Sequence, residues 1–510
     1  MDEGGTLTIT GSILTGNSAR PGRYGGGSGG GLFSTGEATL TESTISGNSA
    51  ERLGGGIAND GTVTIRGATV HGNTAGDYGG GIQSFGTLTV TGSTIVGNAT
   101  GLDGGGISNA WSGQMTLETS IVQGNSAGRD GGGIANFGRL TLAASTLAGN
   151  SAGRLGGGLA NETSASEATL TNVTISGNSA GRDGGGVANL GGLTLTHATL
   201  TANRADNDGD GTGRGGGISN AGMATLSNSI VSGNRLSLSG EADNLAGAAF
   251  VASSRGNLVG SGEVSLDPEA NLVGVDDPRL GPLAFNGGPT MTHALLPGSL
   301  AIDAALEEFA AEADQRGVSR PRGSRADIGA FELKTLDVVR FALQGGQRQR
   351  SFIRTIELDF ANGLGLLRGL IDRGGVRLMR YGLDGSGPGE AVDLDDLLAV
   401  RGNTLVFDFG VQGLGGNRNQ SFGDGYYVIE VDTDGDGSFE TTRSFHRLLG
   451  DVDGDGTVGD LDLALILDGV RRPYTPELDV NGDGVVNAAD RVLAGRNRGK
   501  FLDPGLHRDA

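Results

Sequence analysis

The chain has 510 residues, 100 of them glycine, and a formal charge of −21 from 37 Lys+Arg against 58 Asp+Glu. That balance disfavours nucleic acid and anionic lipid as partners. Cysteine is absent, which excludes disulfides and thiolate metal sites, and no apolar run approaches the roughly 18 residues of a membrane helix.

The first and longest element is a repeat. "GGGI" or a close variant ends at Ile57, Ile82, Ile107, Ile134, Leu159, Val187 and Ile218. An asparagine, usually as Gly-Asn, closes a short apolar run at Asn17, Asn48, Asn73, Asn98, Asn125, Asn150, Asn178, Asn203 and Asn234. A period near 25 residues (Asn48 to Asn73, for example) marks a solenoid. Within each unit, "TLTV", "TLTL" and "STIVGN" alternate apolar and small polar residues, the period-2 sign of half-buried strands. Three short strands joined by Gly/Asn turns predict one coil of a right-handed parallel β-helix. Nine coils stacked at about 4.8 Å make a rod on the order of 40 Å long. Identical asparagines one period apart are expected to hydrogen-bond as ladders, one through the Gly-Asn series and one through Asn59, Asn109, Asn136, Asn161, Asn189 and Asn220.

With one residue in five glycine, matches to G-x-S-x-G or G-x-G-x-x-G arise by chance and lack the strand–turn–helix setting their chemistry needs. Two rows carry more meaning. Asp103, Asp130 and Asp183 each precede a glycine triplet, beside Arg129, Arg154 and Arg182. Stacked carboxylates suit calcium, sugar hydroxyls or weak catalytic candidacy, and solvated turn charges are the simpler account. Phe85, Trp111 and Phe137 fall at nearly one coil position and suit a sugar-stacking strip, with turn packing as the alternative.

Beyond Asn271, "NLVGVDDPRLGPLAFNGGPTMTHALLPGSLAIDAA" and "DQRGVSRPRGSRADIGAFEL" resemble the choice-of-anchor Q domain, and the GG[AG]I/GN units resemble polymorphic outer-membrane-protein-like β-helices. These resemblances imply a surface-exposed, often adhesive protein without catalytic residues. His293, Asp303, Asp314, Arg316, Asp327 and Glu332 are expected to form a polar cap closing the open end of the solenoid. The domain boundaries expected are 1–270 for the β-helix, 271–333 for its end, 334–448 for a small immunoglobulin-like β-sandwich, 449–500 for a calcium module and 501–510 for a tail.

In the sandwich, "VDTDGDGSFETTRSF" places Asp432, Asp434 and Asp436 in a D-x-D-x-D-G pattern, but Arg443 stands at position 12, where a carboxylate would close the site. The strongest chemical signal follows. "DVDGDGTVGDLD" sets Asp451, Asp453 and Asp455 at loop positions 1, 3 and 5, Gly456 at 6, the Thr457 carbonyl at 7 and Asp462 at 12. "DVNGDGVVNAAD" repeats it with Asp479, Asn481, Asp483, Gly484, Val485 and Asp490. These are EF-hand calcium loops, each leading into a short helix, and they predict two calcium ions. Duplication, Asp at position 12 and no helix before the first loop resemble a type I dockerin, which implies docking to a cohesin-like partner. Asp460–Leu461 and Ala488–Ala489 depart from the hydroxyl pair of the best-known pattern.

These modules imply an exported, extracellular or cell-surface protein that binds polysaccharide or scaffolds, without a transmembrane segment. The alternative is a polysaccharide lyase or glycoside hydrolase on the β-helix. A lyase needs a basic residue to abstract a proton, and the only lysines are Lys334 and Lys500, both outside the coils. "MDEGGTLTITGS" is not a signal peptide and begins within a coil, so the authentic start is expected upstream of Met1.

Overall fold

The computed structural model describes all residues except 1–4, 23–24, 238, 297, 334–335, 337, 361–365, 384–387, 416–418, 420, 434–438, 440 and 503–510. The chain divides into two compact units, Met1–Leu333 and Lys334–Ala510.

The first unit is a parallel β-solenoid. Each coil contains four strands rather than the three expected from sequence. In one coil these are Ile134–Asn136, Arg139–Ala143, Thr146–Ala148 and Ser151–Ala152. The fourth is only two residues long, too short to show an alternation in sequence. Equivalent strands stack in register into three sheets of nine strands and one of eleven. Inward positions hold the core, with Ile134, Leu142 and Leu147 fully buried along with their counterparts in neighbouring coils.

Both asparagine ladders form inside the coils. Asn125 Nδ2 donates to Asn150 Oδ1 at 3.0 Å and to the Ile95 carbonyl at 3.0 Å. Its Oδ1 accepts from Asn98 N and Nδ2. Each amide thereby satisfies backbone that turns away from the sheet ladders, which is what a buried corner requires. The second ladder runs Asn109–Asn136–Asn161–Asn189–Asn220 at 2.7–2.8 Å; Asn59, expected in it, instead donates to Ser84 Oγ, because serine takes the equivalent place in the next coil. Gly131, at φ +66°, opens the glycine triplet. A Cβ there would lie 2.5 Å from the Ile134 carbonyl oxygen, so glycine is a steric requirement.

Residues beyond Asn271 do not act as the expected end cap. An eleventh rung, Leu272–Val273, continues one sheet, and the chain then folds back along the solenoid's flank. Gln315 Nε2 donates to Thr146 Oγ1 and Thr290 Oγ1, and Thr174 Oγ1 donates to Gln315 Oε1. His293 Nε2 meets Ser176 Oγ at 2.8 Å, and Ala330 N donates to Thr199 Oγ1. The consequence shows in burial. Thr146, Thr174 and Thr199 are buried, whereas the equivalent Thr44, Thr69 and Thr94 are half-buried. Of the charged residues expected to face the open end, Asp314 and Arg316 instead pair with each other inside this flank, and Glu332 pairs there with Arg320.

In the second unit, two four-stranded antiparallel sheets share one core. One has the order Val338–Leu343, Thr355–Phe360, Thr404–Asp408, Leu398–Arg401; the other Glu390–Val392, Val376–Tyr381, Gly425–Val431, Thr441–Arg447. Ile356, Phe407, Leu378, Tyr427 and Phe445 meet between them. Three α-helices are found among the described residues: Leu366–Asp372, Asp460–Gly469 and Ala488–Asn497. The last two follow the acidic loops and pack together around Ile466, Leu493 and Ala494.

Candidate functional site

A groove runs along the face built by the strands equivalent to Ile134–Asn136. Because side chains alternate, the first residue of each strand enters the core and the second faces outward. The outward row Phe33, Ala58, Gln83, Ser108, Ala135 is in register from coil to coil and forms the floor. One wall is the stack Leu53, Tyr78, Asp103, Asp130. The other is Asp60, Phe85, Ala110, Phe137, Glu162, each donating its backbone N–H to the coil before.

Phe85 and Phe137 therefore share a row, as the sequence spacing suggested. Trp111 sits one residue past that row, in a turn two residues longer than its neighbours. Its ring lies 5.7 Å from Phe137, tilted by 32°. Trp111 is 71 % exposed and Phe85 40 % exposed, so the rings line the opening instead of filling the turn. Between them is a cavity of about 300 Å³ bounded by Tyr78, Gln83, Phe85, Trp111, Phe137 and Arg129. A second cavity of about 440 Å³ adjoins it across Phe85, lined by Phe33, Leu53, Ala58 and Asp60. Gln83 lies on the floor of the first. It is 2 % exposed, and its Oε1 has no hydrogen-bond partner.

Further along the groove, the aspartate row is not a set of solvated turn charges. Asp103 and Asp130 are buried. Arg129 donates through Nε to Asp103 Oδ1 at 2.7 Å and through Nη2 to Oδ2. Arg154 holds Asp130 in the same two-pronged way, with Nε to Oδ1 at 2.9 Å. Backbone N–H groups of Asp130 and Leu155 donate to the same carboxylates. Hydrogen bonding to Asp103 raises the pKa of Arg129. Asp183 stands apart, with Leu155 between it and Asp130 in the stack, and accepts from Arg214 N.

A residue not singled out by sequence completes the cluster. Carboxylate oxygens of Glu162, Asp103 and Asp130 lie within 4.8 Å of one another. Burial, then the charges of Asp130 and Asp103, push the Glu162 carboxyl up to about 8. Its Oε1 has no partner. Its position in the Phe85–Phe137 row was readable from the repeat, but an acid in an aromatic row gave no reason to select it.

In the second unit the two acidic loops have matching hydrogen bonds. Gly456 N donates to Asp451 and Gly484 N to Asp479. Val452 N and Gly459 N donate to Asp462, as Val480 N and Asn487 N do to Asp490. Oxygens of Asp451, Asp453 and Asp462 lie within 4.8 Å of one another. Each position-1 aspartate also meets an outside side chain: Asp451 is 2.9 Å from His446 Nε2, and Asp479 accepts from Tyr474 Oη at 3.1 Å. Asp455 and Asp483 accept from the backbone N–H of Thr457 and Val485, the position-7 residues. Asn481 is buried at position 3 of the second loop. Burial and like charge raise Asp453 to about 6.

Asp432 is buried in the sandwich, with Arg373 Nε 3.9 Å away; Asp434 and Asp436 lie outside the described residues. A third gathering, Asp206, Asp208 and Asp210, sits on a solenoid turn. Its D-x-D-x-D-G spelling was visible in the sequence, though it lies inside the repeat and lacks a twelfth-position acid.

No protein-family model and no curated protein matches the chain. Among solved structures, the crystal structure of pectate lyase Pel9A is similar at 16% identity, with a TM-score of 0.31, covering 65% of this chain and 86% of that one. No described helix is long and apolar enough to cross a membrane.

Proposed function

We propose that this is an extracellular or cell-surface β-solenoid protein that binds polysaccharide in the groove between Leu53 and Phe137 without cleaving it, and that its C-terminal loops bind two calcium ions. The observation that carries the first part is the groove itself. Exposed rings on one wall offer stacking faces, and the buried Gln83 Oε1 on the floor lacks a partner. An unpaired buried acceptor costs roughly 1–3 kcal/mol, a cost that a ligand donor removes. Apolar faces with a few convergent polar groups are the usual make-up of a small-molecule site. Affinity electrophoresis through gels containing plant and algal polysaccharides tests this. Retardation by at least one polymer, lost in Trp111→Ala, is expected; unretarded migration in every gel contradicts it.

A hydrolase reading has one observation in its favour, the raised pKa of Glu162 beside Asp130, which suits a general acid. The second carboxylate it requires is buried and held by Arg154, which favours binding over turnover. Release of reducing ends, abolished by Glu162→Gln, would establish the hydrolase instead.

For the C-terminal loops, the donor set fits calcium: carboxylate, amide and carbonyl oxygens, with no nitrogen or sulfur. Asp451, Asp453, Asp455, the Thr457 carbonyl and Asp462 would hold one ion, and Asp479, Asn481, Asp483, the Val485 carbonyl and Asp490 the other. Bound calcium would neutralise the gathered carboxylates and so stabilise the module. The duplicated loop-helix pattern supports a dockerin-like role in attachment to a cohesin-like partner. Calcium titration should reveal two sites, and Asp451→Ala should remove one; an isotherm without binding contradicts the proposal.

A further inference from the structure

Direction, donor chemistry and charge together narrow the ligand class. Floor and walls follow the stacking direction of the coils, at about 4.8 Å per rung, and the two cavities lie side by side, sharing Phe85. A ligand filling both therefore extends along the solenoid axis. At the floor, Gln83 Oε1 needs a hydrogen-bond donor. Sugar hydroxyls and acetamido N–H groups supply one; uronate and sulfated rings also keep hydroxyls, so this need selects a sugar and leaves its charge to the groove's own charges.

Charge separates neutral from anionic chains. Arg129 and Arg154 present two guanidiniums to this face, and both are already paired two-pronged with Asp103 and Asp130. With Asp60 included, three carboxylates face two guanidiniums, a balance of −1 before Glu162 is counted. The Glu162 carboxyl reports the same sign, since the two aspartates push it up more than the two arginines pull it down. The whole chain carries −21, which repels polyanions at long range as well.

We infer that the groove is built for an uncharged, hydroxyl-bearing polysaccharide lying along the solenoid axis, and that polyuronates and sulfated chains are excluded. This rests on the glycan-binding reading above.

Calorimetric titration of the full chain separates the two ideas. The probes are hexaoses of β-1,4-linked glucose, mannose, xylose and N-acetylglucosamine, set against hexagalacturonate and a sulfated galactan oligomer. At least one uncharged hexaose is expected to bind, with an affinity that is insensitive to salt because no ion pair is screened. Trp111→Ala and Gln83→Met should each weaken it by about tenfold or more, as for central contacts of an interface. Circular dichroism should show both variants folded. An anionic oligomer that binds as tightly as any uncharged one, and is weakened by Trp111→Ala, overturns the inference and leaves the glycan reading standing. Uncharged binding indifferent to both substitutions removes the groove as the site. Binding of none of the probes removes both readings.

Discussion

The solenoid and the C-terminal loops both bury polar side chains, but by opposite means. In the coils, the amides of the Gly-Asn ladder are satisfied by the next copy of themselves, so Asn125 makes four hydrogen bonds to groups one coil away. Even the buried aspartates Asp103 and Asp130 have arginines from the adjacent coil. In the loops, Asp451, Asp453 and Asp462 crowd together, and their hydrogen bonds come from their own backbone and from His446. A repeat can supply its own counter-groups because every position recurs. A pair of loops cannot, and the calcium proposed above would offset its like charges.

Breaking a ladder should have the largest effect. Asn125→Ala removes four bonds and leaves buried partners unmet, so a loss of about 4 kcal/mol is expected, read by chemical denaturation of the solenoid. An equally stable variant would mean that the ladder is ornamental. Chelation should affect only the other region. At calcium about tenfold above the dissociation constants, removal of both ions costs about 3 kcal/mol, visible as a lower melting transition of Lys334–Ala510 while the solenoid transition stays fixed. Equal melting with and without EDTA would erase the contrast between the two regions. Gly131→Ala places a Cβ 2.5 Å from the Ile134 oxygen at φ +66°, and should cost about 2 kcal/mol.

A pH-dependent effect sharpens the comparison where the coils gather Glu162, Asp103 and Asp130. Glu162 ionises near 4.5 when unfolded and near 8 when folded. Below pH 4.5 both states hold the proton. Between 4.5 and 8 the unfolded state loses it first, so stability falls as pH rises, and above 8 the penalty is constant. Thermal melts of Glu162→Gln should therefore gain on the wild type across that window and run parallel outside it. A difference independent of pH would show that the Glu162 proton is not coupled to folding.

The repeat made the coils legible because period 25 and period 2 each repeat many times over, from Ile57 to Ile218. What sequence missed depends on contacts that no period encodes. The fourth strand, such as Ser151–Ala152, is two residues long. The fold-back of residues beyond Asn271 onto Thr146, Thr174 and Thr199 joins positions more than 100 residues apart. Asp103 and Asp130 looked like surface charges, because nothing in "GRDGGG" reveals that Arg129 and Arg154 close over them. The ring row was readable at Phe85 and Phe137, but Gln83, two residues before Phe85, became significant only once its unpaired oxygen was seen beneath the rings.

Trp111 is the only tryptophan in the chain and is 71 % exposed, so its fluorescence reports on the groove alone. Titrating the full protein with the panel of uncharged and anionic oligosaccharides should give, for at least one of them, a saturable blue shift as a sugar ring covers the indole. Emission that stays unchanged with every oligosaccharide to saturating concentration would contradict the assignment of this groove as a glycan-binding site.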